Sequence, residues 1–336
     1  AQCFALPSLR WNESIPVKFP IFYSTKINFK STCTAILSAV LLFLLLTASS
    51  LWAGNKDNKS ATRIISTSPS ITETLFALGL GHRVVGVTDF CEYPPEACEL
   101  PSIGGMTNPH MEALVSLRPD LVIHQSHSVR MAKNTETLGI PSMEITMDTL
   151  DDILSSIKLL GSTLGDVKIS EQLLKNLTDG INFYKNKLEG IPSKETLLLL
   201  GDSSDPGRDL YATGPGTFLH ELLEISGGKN ILHSSMAKYP RLSKEYIIEK
   251  SPEVIIEAGP KSRLTPEQIE ERLRGWKRFP SIRAVQTDKV HYIGADYMLI
   301  PGPRFLNILE QFSRVMHPDI FNGSLDPELA KVESVK

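Results

Sequence analysis

Two stretches of this sequence follow one pattern: Glu112-Ala-Leu-Val-Ser-Leu-Arg-Pro119-Asp-Leu-Val-Ile123 and Glu245-Tyr-Ile-Ile-Glu-Lys-Ser-Pro252-Glu-Val-Ile-Ile256. Each begins with a glutamate, has a proline seven positions later, and continues with an acid and three aliphatic residues. The apolar spacing before the proline predicts a short helix. Because proline cannot continue that helix, the aliphatic run behind it predicts a buried strand.

A second pair of stretches repeats in the same order. Glu73-Thr-Leu-Phe-Ala-Leu-Gly79 is similar to Glu221-Leu-Leu-Glu-Ile-Ser-Gly227, and the glycine of each suits the end of a helix. Helix-proline-strand units recur in many α/β proteins, so one pair of similar stretches, which we call an echo, would carry little weight. Two echoes in the same order favour two similar lobes.

The composition is that of a globular protein long enough for two domains. The chain has 336 residues, a hydrophobic fraction of 41%, a charged fraction of 22% and a net charge of −3. It has no basic run, which argues against nucleic acid as a partner. Strands that alternate with helices predict α/β lobes with parallel sheets.

The predicted organisation has five parts. They are an N-terminal extension with a signal peptide (1–53), a first α/β lobe (61–150), a helical connector (151–192), a second α/β lobe (193–318) and a polar tail (319–336). In the connector, apolar residues at helical spacing between Ile169 and Leu188 predict one long helix of about 30 Å. A break is expected between Gly161 and Asp166.

The N-terminal region predicts export. Lys26 and Lys30 precede an apolar run from Thr34 to Leu46, and small residues follow the run. An uncleaved membrane anchor is the alternative, but about 13 apolar residues are few for crossing a bilayer. We therefore expect a periplasmic or other extracytoplasmic location.

Export also changes what the cysteines predict. Cys91 and Cys98 bracket Glu-Tyr-Pro-Pro-Glu-Ala, and in an oxidising compartment they predict a disulfide, with two free thiols as the alternative. Without a matching second pair nearby, their spacing argues against a zinc site.

Several stretches resemble the substrate-binding proteins of bacterial ABC importers for cobalamin, iron-siderophore complexes and haem. They are Ser68-Pro-Ser-Ile-Thr-Glu73, Asp89-Phe-Cys-Glu-Tyr-Pro-Pro95, Glu112 to Val122, Tyr211-Ala-Thr-Gly-Pro-Gly216, Gly227-Gly-Lys-Asn-Ile231 and Pro301-Gly-Pro-Arg304. The stretch with Tyr-Pro-Pro is most similar to the cobalamin-binding branch. The resemblance implies a class III periplasmic binding protein, with two Rossmann-like lobes joined by one long helix and the ligand between them.

The resemblance and the expected strand ends together give a set of candidate ligand contacts. They are Phe90, Tyr93, His124 and Gln125 in the first lobe and Tyr211, Tyr239, Asp296 and Arg304 in the second. The aromatic residues would stack on a ring, and Arg304 with Asp296 would meet its polar edge, although an ion pair between loop charges is the alternative. His124 and His127 are expected to be structural rather than metal ligands.

The resemblance also implies a partner. In this family each lobe presents a glutamate that pairs with arginines of the permease, and Glu112 and Glu245 match those positions. A solvated acid in the first turn of a helix is the alternative for either residue.

The predicted function is therefore capture of a cobalamin, another corrinoid or a ferric siderophore, and delivery to an ABC permease by a monomer without a resident cofactor or metal. Haem binding and binding of a bare metal ion are alternatives, the latter through His110, His124, His127, His220, His233, His291 and acids. An exported enzyme on the same fold is a weaker alternative. The sequence has no Gly-x-Ser-x-Gly, Walker or His-Glu-x-x-His motif.

Overall fold

A computed structural model describes residues 61–200, 210–232, 237–259 and 264–321. The predicted signal peptide, His233 and most of the predicted tail lie outside these residues. Within the described part of the chain, no helix combines the length and the apolar character needed to cross a membrane.

The first lobe is a parallel sheet with short helices between its strands. Its strands are β1 (Ile64–Ser66), β2 (Val84–Gly86), β3 (Leu121–Gln125) and β4 (Ser142–Ile145), and its helices are α1 (Pro69–Ala77), α2 (Met111–Ser116) and α3 (Val129–Thr137). The strand order is β2-β1-β3-β4, and every pair is parallel. This lobe matches the predicted architecture.

The connector consists of two helices, α4 (Leu150–Leu164) and α5 (Val167–Lys187). The break falls at Gly165 and Asp166, inside the predicted interval, and the Asp166 side chain caps α5 by accepting a hydrogen bond from the Lys168 backbone N–H at 2.8 Å. The two helices meet closely because Gly161 has no side chain: a Cβ there would lie 2.1 Å from the Cβ of Ser170. At 21 residues, α5 has the predicted length of about 30 Å.

The second lobe contains a larger sheet. Its strands are β5 (Lys194–Leu200), β6 (Leu210–Ala212), β7 (Gly228–Asn230), β8 (Arg241–Leu242), β9 (Val254–Gly259) and β10 (Val290–Gly294). Its helices are α6 (Phe218–Ile225), α7 (Lys244–Lys250), α8 (Pro266–Gly275), α9 (Arg283–Gln286), α10 (Phe305–Met316) and α11 (Pro318–Phe321). The strand order is β10-β9-β5-β6-β8, and β7 also pairs with β5.

This second sheet is mixed, which corrects the prediction of parallel sheets in both lobes. β6 runs antiparallel to β5 and to β8. Only residues 201–209 separate β5 from β6, and a parallel crossover needs a dozen residues or more. The lobe also extends beyond residue 318, because Phe321 of α11 is buried and its ring lies 5.5 Å from that of Tyr184.

The repeated stretch forms the same local structure in both lobes. Arg118 and Ser251, directly before the two prolines, both adopt the left-handed conformation, with φ of 47° and 44°. The acid after each proline donates its backbone N–H to a carbonyl oxygen at the beginning of the neighbouring strand. Asp120 donates to Arg63 at 3.0 Å, and Glu253 donates to Glu195 at 2.7 Å. The second half of the repeat therefore enters its sheet in the same way twice.

The two lobes share one hydrophobic cluster that passes through the connector. Ile71 of the first lobe, Ile157 and Tyr184 of the connector, and Phe312 of the second lobe all belong to it and are fully buried. Bending one lobe against the other would expose part of this cluster to water, so the packing itself opposes large hinge motion.

We expect Asp120→Asn to lower the free energy of unfolding by about 1 kcal/mol at neutral pH, allowing for its exposed position. The Asp120 carboxylate accepts hydrogen bonds from the backbone N–H groups of Thr62 and Arg63, at 2.8 and 2.9 Å, and from the Thr62 hydroxyl at 2.9 Å. Partial burial raises the pKa of Asp120, but these hydrogen bonds outweigh it and hold the pKa below its usual value.

A carboxyl with a depressed pKa stabilises the fold above its unfolded pKa of about 3.9, and this contribution is lost as the pH falls through the lower, folded pKa. The difference between Asp120→Asn and the wild type should therefore shrink in acid, as measured by urea unfolding at several pH values. Asp179→Asn on α5 is the control, because its exposed pair with Lys175 should contribute less than about 0.5 kcal/mol. If the difference in free energy of unfolding between Asp120→Asn and the wild type did not change with pH, the stabilising role of the Asp120 carboxylate would be contradicted.

Candidate functional site

A buried ion pair joins the two lobes. Glu73 of α1 accepts two hydrogen bonds from Arg304, which precedes α10: from Nε at 2.9 Å and from Nη2 at 2.6 Å. The side chain of Glu73 is 2% exposed and that of Arg304 is 15% exposed. The loop before Arg304 comes close to α1 at Gly302, where a Cβ would lie 3.4 Å from the Glu73 carboxylate.

Arg304 is held on several sides. Its guanidinium carbon lies 3.8 Å from the ring centre of Tyr93 and 5.4 Å from that of Tyr297, and Nη1 donates to Asp296 at 2.6 Å. Burial lowers the pKa of Arg304, but Glu73 and Asp296 outweigh it and hold the pKa above the usual value. Burial raises the pKa of Glu73, although Arg304 acts in the opposite direction.

The guanidinium of Arg304 is engaged by Glu73 and Asp296, which is the ion pair named as the alternative to a ligand contact. Asp296 keeps a side chain that is 51% exposed and still faces solvent. Tyr93 comes from the first lobe and stacks on Arg304 of the second. It therefore lies in the region where the two lobes meet, which we call the seam.

A second set of contacts crosses between the lobes near Asp148. The Asp148 carboxylate accepts a hydrogen bond from Lys238 Nζ at 2.6 Å, and its backbone carbonyl accepts one from the Phe218 N–H, also at 2.6 Å. Because Tyr239 is the next residue after Lys238, it lies beside this contact between the lobes. Burial of its hydroxyl and the nearby Asp148 charge both raise the pKa of Tyr239.

The predicted aromatic residues are the most exposed aromatic side chains in the described part of the chain. Exposure is 49% for Phe90, 41% for Tyr93, 51% for Tyr211 and 48% for Tyr239. Tyr211 pairs with Arg241 across β6 and β8, and the Arg241 guanidinium lies 5.8 Å from its ring centre. No other described Phe, Tyr or Trp reaches comparable exposure.

Two predicted ligand contacts in the first lobe are buried instead. His124 is 2% exposed, and its Nδ1 lies 3.2 Å from the Gln125 carbonyl oxygen. The Gln125 side chain donates from Nε2 to the hydroxyls of Ser70 at 2.8 Å and Ser68 at 3.3 Å. Both side chains are enclosed within the lobe because β3 is buried along its whole length.

The predicted disulfide is also absent from the structure. Cys91 is buried and its Sγ lies 3.2 Å from the hydroxyls of Thr72 and Thr88. Cys98 is exposed on the short 3₁₀ helix Pro95–Glu99, and its thiol donates to the Glu92 carbonyl oxygen at 3.3 Å. The two thiols are free because one is turned into the core and the other lies on the outside of the helix.

A groove of about 860 Å³ lies beside the open edge of β10. Its lining includes Glu92, Leu273, Tyr292, Asp296, Gln311 and Val315. Asp296 is the only predicted ligand residue in this lining, and none of the four exposed aromatic side chains takes part. The groove is therefore not lined by the exposed aromatic side chains, although its residues Asp296 and Tyr297 contact Arg304.

Residues 64–297 match the family described as periplasmic binding protein. The chain belongs to this family.

Individual relatives agree with this assignment. The chain is 30% identical over 279 residues to YvrC of Bacillus subtilis, an uncharacterized ABC transporter substrate-binding lipoprotein, and the match covers 80% of this chain and 85% of the relative. The solved structure of the periplasmic vitamin B12 binding protein BtuF of Vibrio cholerae has a TM-score of 0.66 and 25% identity, covering 79% of this chain and 99% of that one. The periplasmic heme-binding protein RhuT from Roseiflexus sp. RS-1 shares the fold, with a TM-score of 0.65, 24% identity, and coverage of 77% and 99%.

The predicted family, the two-lobed α/β fold and the role in solute binding for ABC import are thereby confirmed. Membership implies a permease partner, a small-molecule ligand and an extracytoplasmic location.

In this periplasmic binding protein, the two predicted docking glutamates occupy matching positions. Glu112 is the second residue of α2 and Glu245 the second residue of α7, and both are exposed. Three residues further along each helix lies an exposed aliphatic side chain, Val115 or Ile248. Hydrogen bonds from its own backbone N–H and from the Ser243 hydroxyl lower the pKa of Glu245, so it is ionised at neutral pH.

Sequence reasoning missed some residues of the seam. Glu73 and Glu221 were recognised as an echo but not as contacts between lobes. Among the described residues, no group of three or more His, Cys, Asp or Glu side chains is arranged to hold a metal ion.

Proposed function

We propose that this protein captures a cobalamin or another corrinoid between its lobes and delivers it to an ABC permease, with ferric siderophores as a related ligand class. It acts as a monomer, without a resident cofactor and without catalysing a reaction. The ligand is bound by Phe90, Tyr93, Tyr211 and Tyr239.

The exposure of these four aromatic side chains carries the proposal. Leaving a phenyl or phenol ring in water forfeits the free energy of burying it, roughly 1.5–3 kcal/mol for a Phe-sized side chain. Here both lobes contribute such rings. Tyr93 and Tyr239 border the seam, where a flat ring system would cover them. We infer that these rings face the ligand, because a bound ring system would take their exposed faces out of water.

The similarity to the vitamin B12 binding protein of Vibrio cholerae supports a corrinoid as the ligand. The groove beside β10 is a weaker choice, because its lining comes almost entirely from the second lobe.

Haem is the second candidate. It is also a flat tetrapyrrole that aromatic side chains can cover, and RhuT of similar fold is heme-binding. His127 is exposed in the loop beyond β3, where an imidazole could meet a metal centre. Absorbance spectra distinguish the two ligands, because corrinoids and haem absorb differently.

We expect Tyr211→Ala and Tyr239→Ala each to weaken binding of cyanocobalamin roughly two- to tenfold, because each removes one stacking face worth about 0.5–1.5 kcal/mol. Dissociation constants from a titration followed by aromatic fluorescence would measure the change. Val167→Ala, at the exposed start of α5, is the matched control and should bind as the wild type does.

Wild-type protein that binds neither cyanocobalamin, haem nor a ferric siderophore would refute the proposed function. If Tyr211→Ala and Tyr239→Ala bound the ligand as tightly as the Val167→Ala control, the assignment of the aromatic residues to the ligand would be refuted.

The proposal assigns Glu112 and Glu245 to the permease. Their matching positions on α2 and α7 give each lobe one exposed carboxylate that can pair with an arginine. Exposed charge pairs of this kind mainly speed and orient association.

Glu112→Ala and Glu245→Ala should each weaken binding to permease in proteoliposomes roughly two- to fivefold, or about 0.5–1 kcal/mol, and the loss should shrink at high salt. Ligand affinity should not change. Glu136→Ala and Glu271→Ala are the controls, since both residues are exposed acids elsewhere on the two lobes. Equal effects of all four substitutions would contradict specific docking.

A further inference from the structure

A second glutamate reaches from one lobe to the other. Glu221 of α6 accepts a hydrogen bond at its Oε2 from the backbone N–H of Leu150, at 2.6 Å. Leu150 is the first residue of α4, where the chain leaves the first lobe. The first N–H groups of a helix have no partner inside it, and a negative charge there is favourable. Glu221 therefore supplies a charged acceptor at the start of a helix outside its own lobe.

Glu221 and Glu73 are counterparts in the duplicated lobes. Glu73 is the fifth residue after the cap Ser68, and Glu221 is the fourth after the cap Thr217. A glycine with positive φ follows each glutamate by six residues, Gly79 at 73° and Gly227 at 85°. In both stretches a glutamate near the start of the helix reaches the other side of the seam, where Glu73 meets the Arg304 side chain and Glu221 a backbone N–H.

The partners of the two glutamates are also alike in position. Arg304 is the residue at the N-terminal cap of α10, and Leu150 is the first residue of α4. Each carboxylate therefore fixes the beginning of a helix on the opposite side of the seam. Lys238 with Asp148, another ion pair across the seam, is half exposed and contributes less.

We propose that Glu73 and Glu221 are a symmetry-related pair of interlobe ties that set the angle between the lobes and hence the width of the cleft. The tie at Glu73 has a further consequence. It fixes the guanidinium of Arg304, whose face supports the ring of Tyr93 at 3.8 Å. Glu73 and Arg304 are then positioning residues for ligand binding, and this part rests on the proposed function.

The distance between the lobes can be measured without a ligand. Nitroxide labels at Ser116→Cys and Lys250→Cys would report one position on each lobe, since both residues are exposed. The background would have Cys3, Cys33 and Cys98 replaced by Ser, while the buried Cys91 is kept. Pulsed electron paramagnetic resonance then gives the distribution of distances between the labels.

Glu73→Gln and Glu221→Ala should each broaden this distribution. Glu221→Gln should retain the wild-type distribution, because the amide oxygen can still accept the Leu150 N–H. Glu310→Gln is the control within the second lobe, because Glu310 pairs with Arg314 one turn away on the same helix. It should also leave the distribution unchanged.

Glu73→Gln should in addition weaken cyanocobalamin binding about tenfold, or ~1.4 kcal/mol, through the displaced Tyr93. Glu310→Gln should leave that affinity unchanged. If Glu73→Gln does not fold, as judged by far-ultraviolet circular dichroism, Arg304→Lys replaces it, since it keeps the charge but loses the paired hydrogen bonds.

An unchanged distance distribution in folded Glu221→Ala, or in the folded variant of the Glu73 pair, would overturn the assignment. A broadened distance distribution in Glu310→Gln would also overturn the assignment. It would mean that losing any ion pair, and not only one between the lobes, broadens the distribution. If the wild type did not bind cyanocobalamin, the proposed ligand would be refuted. The proposed ties would stand, because the measured distances between the labels test them without a ligand.

Discussion

The carboxylate of Glu73 lies in the interior of the protein, and the guanidinium of Arg304 compensates its charge. Taking one ion out of water costs several kcal/mol, so neither group could be buried in this geometry without the other. Since the two residues belong to different lobes, the requirement to pair them is also a requirement to hold the lobes together. The position of Tyr93 follows from the same contact, because its ring lies against the buried guanidinium.

The other interlobe features act in the same direction. One hydrophobic cluster runs through the connector into both lobes, and Glu221 meets the start of α4 from the opposite side. The consequence is an angle between the lobes that is largely set before a ligand arrives. A preformed site spends less of its binding free energy on ordering the protein. Large planar ligands suit such a site because they present rigid faces of their own.

Local patterns predicted the parts of the structure that depend on neighbouring residues. The prolines at 119 and 252 end their helices in the same left-handed turn, and the helix break at Gly165 falls inside the predicted interval. These features are encoded within a few residues of where they appear.

The contacts that the sequence did not reveal depend on partners far away in the sequence. Arg304 pairs with a residue 231 positions earlier, and no local pattern shows that its charge is already compensated. The burial of His124 follows from helices that cover both faces of the sheet, and the free thiols follow from the direction in which Cys91 points. The echo between Glu73 and Glu221 was the available signal for the interlobe contacts, but sequence alone could not show that either side chain crosses the seam.

The most direct test of this account is a crystal structure of the protein with whichever of cyanocobalamin and haem it binds in titration. The account predicts that the macrocycle lies between the lobes, in contact with Tyr93 from the first lobe and with Tyr211 or Tyr239 from the second, while Arg304 remains bonded to Glu73. A macrocycle in the groove beside β10, or one that contacts a single lobe, would contradict it.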